Sequence, residues 1–155
     1  MRVKGVQPAA AAGETWVLER KVDAGGLSWR VQQMGRGTSR TAGDRPLLLL
    51  HGTGASTHTW RALAPLLVDR TELPAIDLPG HAGSGPLPPG RQSLPGMAAA
   101  TGDLLRTLGV TPRAVLGHSA GAAVMLRLAL DGGLDGATLI GLNAALQPFE
   151  GWAGY

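Results

Sequence analysis

Residues 114–130, AVLGHSAGAAVMLRLAL, set an apolar run, a Gly-x-Ser-x-Gly turn and a helix-like segment in direct succession. The run does not alternate, so it reads as a strand covered on both faces. The segment after the turn has almost no polar face before Arg127 and reads as a central helix. A buried strand that passes through one tight turn into a buried helix requires a parallel sheet with helices laid against it. PLLLL, residues 46–50, supplies a second strand of the same covered kind.

The remaining segments extend this pattern. TWVLERKVDAGGLSWRVQQMG, residues 15–35, alternates roughly on either side of Ala-Gly-Gly and predicts a β-hairpin. After HGTGAS the period changes: Trp60, Leu63, Ala64 and Leu67 share one helical face, with Ser56 or Thr57 to cap its start, and an α-helix is expected. ELPAIDLPG predicts a short strand, and the Gly- and Pro-rich residues 82–95 an irregular surface connection. Met97, Thr101, Leu104, Leu105 and Leu108 make an amphipathic helix closed by Gly109, and ATLIGLN makes a last strand. Strands alternating with helices after a leading hairpin indicate an α/β domain with a mostly parallel sheet, whose ligands sit beyond the C-terminal strand ends.

Composition narrows the function classes. A chain of 155 residues with 44% hydrophobic and 16% charged residues suits one folded domain, here expected over residues 15–155 behind a flexible arm at 1–14. Gln7, Pro8 and Glu14 interrupt any hydrophobic core of a signal peptide in that arm, and the longest strongly apolar run, Leu47 to Leu50, is far too short for a membrane span. Twelve arginines, two lysines and a net charge of +3 are scattered without a stripe that could track phosphates, which argues against nucleic-acid binding. With no cysteine, disulfides, thiolate zinc sites and iron-sulfur ligation are excluded, and the cytoplasm is the default compartment. No metal site and no cofactor are expected.

The chemistry is concentrated in two turns. Strand, Gly117-His118-Ser119-Ala120-Gly121 and buried helix form a nucleophile elbow: the serine hydroxyl is exposed at a strained turn, and the flanking glycines let strand and helix pass closely. The Ala120 N–H, at the helix start, can donate to an oxyanion. His51, Gly52, Thr53 and Gly54 follow the earlier strand, where the Thr53 N–H could complete an oxyanion hole. The plainer reading of the elbow is a glycine turn whose serine caps a helix. A rival from another class is a dinucleotide-binding fingerprint, because GTGAST follows a strand and Asp77 lies about 20 residues on. Thr57 occupies its third glycine position, however, and neither His51 nor the Ser119 elbow has a part in that reading.

LLLLHGTGASTHTWRAL, IDLPGHAGSG and LGHSAG resemble the α/β-hydrolase fold superfamily, and the leading hairpin and LIGLNAAL extend the likeness over nearly the whole chain. VDAGGLSWRVQQMG, SLPGMAAATGDLLRTLGV and IGLNAALQPFEGWAG are more narrowly similar to the magnesium-chelatase accessory proteins of bacteriochlorophyll biosynthesis. The resemblance implies Ser119 as nucleophile and the N–H groups of Thr53 and Ala120 as oxyanion donors, with His51, Gly52, Gly117, His118 and Gly121 supporting the loops. One departure is GHAGS, where the family reads Gly-His-Gly, so an altered turn is expected at Ala82.

The family's triad order is Ser, acid, His. No histidine follows His118, and Asp77 precedes the serine, so the expectation is an N-terminal fragment that lacks the cap, the last strands and the triad acid and base. Such a chain would be inactive alone, whereas its complete form would act on a small apolar or ester-like substrate. The non-catalytic alternative is an accessory protein that meets magnesium chelatase or a porphyrin in an apolar pocket. Phe149 and Trp152 are candidates for that pocket or for plain packing, and the ATLIGLN strand is expected to be an apolar sheet edge.

Overall fold

The computed structural model of the chain describes residues 16–35 and 45–147, so the expected arm at 1–14 and the aromatic pair Phe149 and Trp152 lie outside the described residues. Strands β1 (Trp16–Ala24) and β2 (Leu27–Gly35) form the expected antiparallel hairpin. Its two-residue turn holds Gly25 at φ 59° and Gly26 at φ 80°, the positive pair that a turn matched to the strand twist requires. β3 (Leu47–Leu50), β4 (Leu73–Ile76), β5 (Ala114–His118) and β6 (Thr138–Leu142) run parallel to one another, and β2 joins them antiparallel to β4. The resulting six-stranded sheet has the order β1-β2-β4-β3-β5-β6. Helix α1 (Leu94–Leu108) connects β4 to β5, and α2 (Ala120–Leu130) connects β5 to β6.

Strand alternation explains why four consecutive leucines can all be buried. Leu48 and Leu50 face one side with Trp29, Ile76 and Val115, under Leu104 and Leu105 of α1 and Val124 and Met125 of α2. Leu47 and Leu49 face the other side with Leu73 and Leu116, under Trp60, Ala64 and Val68. That second cover is not the α-helix the sequence suggests. It is two short 3₁₀ segments, Thr57–Arg61 and Ala64–Leu66. Pro65 accounts for the difference, because it has no N–H to give to an α-helical ladder and its ring opposes the carbonyl four residues back. The apolar face is nevertheless placed as its spacing requires, and Ser56 caps the start by accepting the His58 N–H at 3.2 Å. No helix among the described residues is long and apolar enough to cross a membrane.

Among the described residues, the two outer strands of the sheet differ in kind. β1 carries Glu19, Arg20, Lys21 and Asp23, charges of the sort that keep an edge from pairing with other chains. β6, TLIGL, carries none, and Ile140 and Leu142 are 40% and 42% exposed. The Thr138 N–H and the Leu142 carbonyl bond towards β5, so by parallel-strand alternation Leu139 and Gly141 turn their backbone groups outward. The 155-residue chain should self-associate through β6 in sedimentation velocity, and Ile140→Lys with Leu142→Lys should reduce that association while folding stability changes by no more than about 0.5 kcal/mol per site.

Candidate active site

Ser119 lies between β5 and α2 with φ 51° and ψ −118°, a backbone conformation that L residues rarely adopt, and its side chain makes no capping bond to the helix. Strain of this kind costs about 1–3 kcal/mol and persists only where the surroundings hold it. Here the surroundings are glycines and backbone. A Cβ on Gly117 would lie 2.6 Å from the Ala122 Cα, and one on Gly121 would lie 2.4 Å from the Leu50 carbonyl oxygen. Helix α2 therefore starts in backbone contact with both β5 and the end of β3. The Ser119 N–H donates to the Leu142 carbonyl at 3.0 Å, and its own carbonyl accepts from Ala122 at 3.0 Å and Ala145 at 3.2 Å, which ties the turn to the exit of β6.

The segment after β3 closes over this turn. A Cβ on Gly52 would stand 3.0 Å from the Ser119 Cβ and 3.1 Å from His118 Nδ1, so a larger residue here would press the serine turn back by a few tenths of an ångström. Thr53, the next residue, is exposed, and neither its N–H nor that of Ala120 has a backbone acceptor among the described residues. Among the described residues, the N–H after Gly52 and the N–H after Ser119 are thus left without a backbone acceptor, beyond the C-terminal ends of β3 and β5. His118 Nδ1 is buried without a hydrogen-bond partner among the described residues, so it is not paired with the Ser119 hydroxyl.

His51 is fully buried and joins two loops. Its Nε2 accepts the Leu78 N–H at 2.9 Å, which leaves Nδ1 as the protonated nitrogen, donating to the Gly52 carbonyl at 2.7 Å. Both ring nitrogens are engaged, so His51 orders the loop and has no nitrogen left to act as a base for Ser119. Burial holds its pKa below the ordinary 6.5, against the opposing pull of the Gly52 carbonyl bond. A folded-state pKa depressed in this way means the unfolded chain takes up the proton first on acidification. The contribution is complete above about pH 6.5 and is lost as pH falls through that value towards the folded pKa. The urea midpoint should therefore drop between about pH 7.5 and 5.5, and His51→Gln should flatten that slope.

Asp77 is also fully buried, at the exit of β4. Oδ1 accepts the Thr57 N–H at 2.7 Å, and Oδ2 accepts the Gly83 N–H at 3.1 Å and Arg30 Nη1 at 3.0 Å. Burial opposes its ionisation, but the two N–H donors and the guanidinium outweigh burial and hold the carboxyl below its usual range. With no exposure and both oxygens held by protein donors, Asp77 is not presented to a ribose or to a catalytic histidine, which argues against the dinucleotide reading and against a role as triad acid. The Arg30 partnership was not legible in the sequence: Arg30 is one of several polar residues in an alternating strand, and 47 positions separate it from Asp77.

The turn after Asp77 holds Ala82 at φ 44°, in the left-handed region that favours glycine. Ala82→Gly should raise stability by about 1 kcal/mol, read as a higher urea midpoint with an unchanged slope. An open groove of about 350 Å³ lined by Gly109, Thr111, Gly133 and Asp135 lies at the N-terminal ends of β5 and β6, away from Ser119.

Residues 45–152 match the family model for the alpha/beta hydrolase fold. The magnesium-chelatase 30 kDa subunit of Rhodobacter capsulatus is 48% identical over 108 residues, which cover 70% of this chain and 37% of that protein. The fluoroacetate dehalogenase of a Burkholderia species is 37% identical over 89 residues, covering 55% of this chain and 29% of that protein. Among solved structures, Cfl2 from Burkholderia cenocepacia superimposes with a TM-score of 0.73 at 26% identity, covering 86% of this chain and 46% of its own. The chain thus spans less than half the length of each of these relatives.

Proposed function

Because the chain belongs to the α/β-hydrolase fold family, we propose that it carries the nucleophile and oxyanion half of a serine hydrolase site acting on a small apolar or ester-like carbonyl substrate. The observation that carries this reading is Ser119 at φ 51° between β5 and α2, with the Gly52 segment packed against its Cβ. In the reaction, the Ser119 hydroxyl attacks the carbonyl carbon, and the charge that develops on the carbonyl oxygen is taken by the N–H groups of Thr53 and Ala120. Attack also requires a base to receive the serine proton. His51 is engaged at both nitrogens, His118 is not bonded to Ser119, and no histidine follows in the sequence. Among the described residues no hydrogen bond joins a histidine to the Ser119 hydroxyl, and on this reading the 155-residue chain is inactive by itself.

A second reading is favoured by the 48% identity to the magnesium-chelatase 30 kDa subunit. On it, the fold serves magnesium chelatase or its porphyrin as a binding accessory, and Ser119 is a structural turn residue. Pigment synthesis in the source organism separates the two. Ser119→Ala in the chromosomal gene should lower pigment where the serine reacts in pigment synthesis, whereas unchanged pigment would speak against a catalytic serine there.

A further inference from the structure

The segment that carries Thr53 is fastened at both ends to the same short stretch of chain. At its start, His51 accepts the Leu78 N–H at 2.9 Å; at its end, the Thr57 N–H donates to Asp77 Oδ1 at 2.7 Å. Asp77 and Leu78 are adjacent, and the charged partner of Asp77 is Arg30 on β2. Arg30 Nη1 donates to Asp77 Oδ2 at 3.0 Å and to Thr57 Oγ1 at 3.3 Å, so one nitrogen bridges the carboxylate and the loop residue that the carboxylate fixes. The guanidinium is itself held, because Nη2 donates to Glu19 Oε2 at 2.6 Å. The Arg30 backbone N–H donates to Ser84 Oγ at 2.9 Å, and that hydroxyl donates to the Asp77 carbonyl at 2.7 Å. A Cβ on Gly83 would lie 2.3 Å from Arg30 Cδ, so the turn after β4 lies directly on the arginine stem.

We propose that Arg30 is a positioning residue for the oxyanion segment: through Asp77 and Thr57 it fixes the direction of the Thr53 N–H without touching substrate. The inference rests on the reading of Thr53 as an oxyanion donor. It also accounts for a charged side chain whose guanidinium reaches three partners at once. A lysine in this place supplies charge but not the planar fork, so it should restore the arrangement only in part.

Amide hydrogen exchange and amide shifts of residues 52–59, recorded by NMR on the ¹⁵N-labelled 155-residue chain, test it. The comparison uses wild type, Arg30→Met, Arg30→Lys and a core variant remote from the segment, Leu128→Ala. Arg30→Met should speed exchange at Ala55 and Thr57 by about tenfold or more relative to the amides of β5, and move the Thr53 resonance. Arg30→Lys should recover part of both, and Leu128→Ala should raise exchange throughout the sheet without singling out the segment. If Arg30→Met does not fold, Arg30→Lys carries the same comparison with smaller displacements. Wild-type exchange at Ala55 and Thr57 in the arginine variants, or the same local pattern in Leu128→Ala, would overturn the proposal. None of these readouts needs Ser119 to react, so their failure leaves the nucleophile reading to its own test.

Discussion

Gly121→Ala lowers stability by about 3 kcal/mol or more, seen as a fall in the urea midpoint. The added methyl would lie 2.4 Å from the Leu50 carbonyl oxygen and 2.5 Å from that of His51. Both are backbone atoms at the end of a central strand, so no rotamer change relieves the overlap. α2 has to lift away from β3, and the lift removes cover from Val124 and Met125, which are 1% and 2% exposed. The same displacement draws the His51–Gly52 segment away from Ser119. Stability and site geometry therefore fail together, and a variant that kept the wild-type midpoint would mean that α2 and β3 are not in backbone contact.

The second large effect concerns turnover. The 155-residue chain should hydrolyse p-nitrophenyl acetate at a rate about 10⁶-fold below that of a complete triad enzyme, the loss typical of removing the histidine. Two oxyanion donors still leave some catalysis over water, because that part of the machinery does not depend on the base. The measurement is a progress curve for the chain beside its Ser119→Ala variant, and the two should coincide. Efficient turnover lost in Ser119→Ala would show that a group within these residues takes the serine proton.

The sequence carried the sheet well because its strands are of two easily separated kinds. The alternating hairpin and the non-alternating PLLLL and AVLGH runs report how many faces each strand buries, and the observed topology follows from that. The Gly-x-Ser-x-Gly spacing carried the elbow for a steric reason: the positions of Gly117 and Gly121 are those at which a methyl would strike backbone. Two local features were harder to read. The apolar spacing of Trp60, Leu63, Ala64 and Leu67 serves a 3₁₀ path as well as an α-helix, and Pro65 was the signal that decides between them. At Ala82 the missing glycine suggested a changed turn, and what the sequence did not show is that the alanine there stands in the left-handed region.

What could not be read is the polar network. Arg30, Asp77, Thr57 and Glu19 come from three separate stretches, and nothing in their spacing announces that one guanidinium joins them. Burial gives the network its meaning: Asp77 has no exposure and must be satisfied by protein groups, so its partners are fixed by the fold and not by local sequence. The same holds for His51, whose role follows from a bond to Leu78 that only the approach of β3 to β4 creates.

The central claim is that Ser119, Thr53 and Ala120 form one site, and the most direct measurement is an NMR titration of the ¹⁵N-labelled chain with phenylboronic acid, in which boron exchanges one hydroxyl for the Ser119 oxygen, the hydroxyl leaving as water with the serine proton, and presents its other oxygen where an oxyanion would lie. The amides of Thr53 and Ala120 should shift most and in parallel, and Ser119→Ala should abolish both changes. Shifts centred elsewhere, or shifts at Thr53 and Ala120 that persist in Ser119→Ala, would contradict the account.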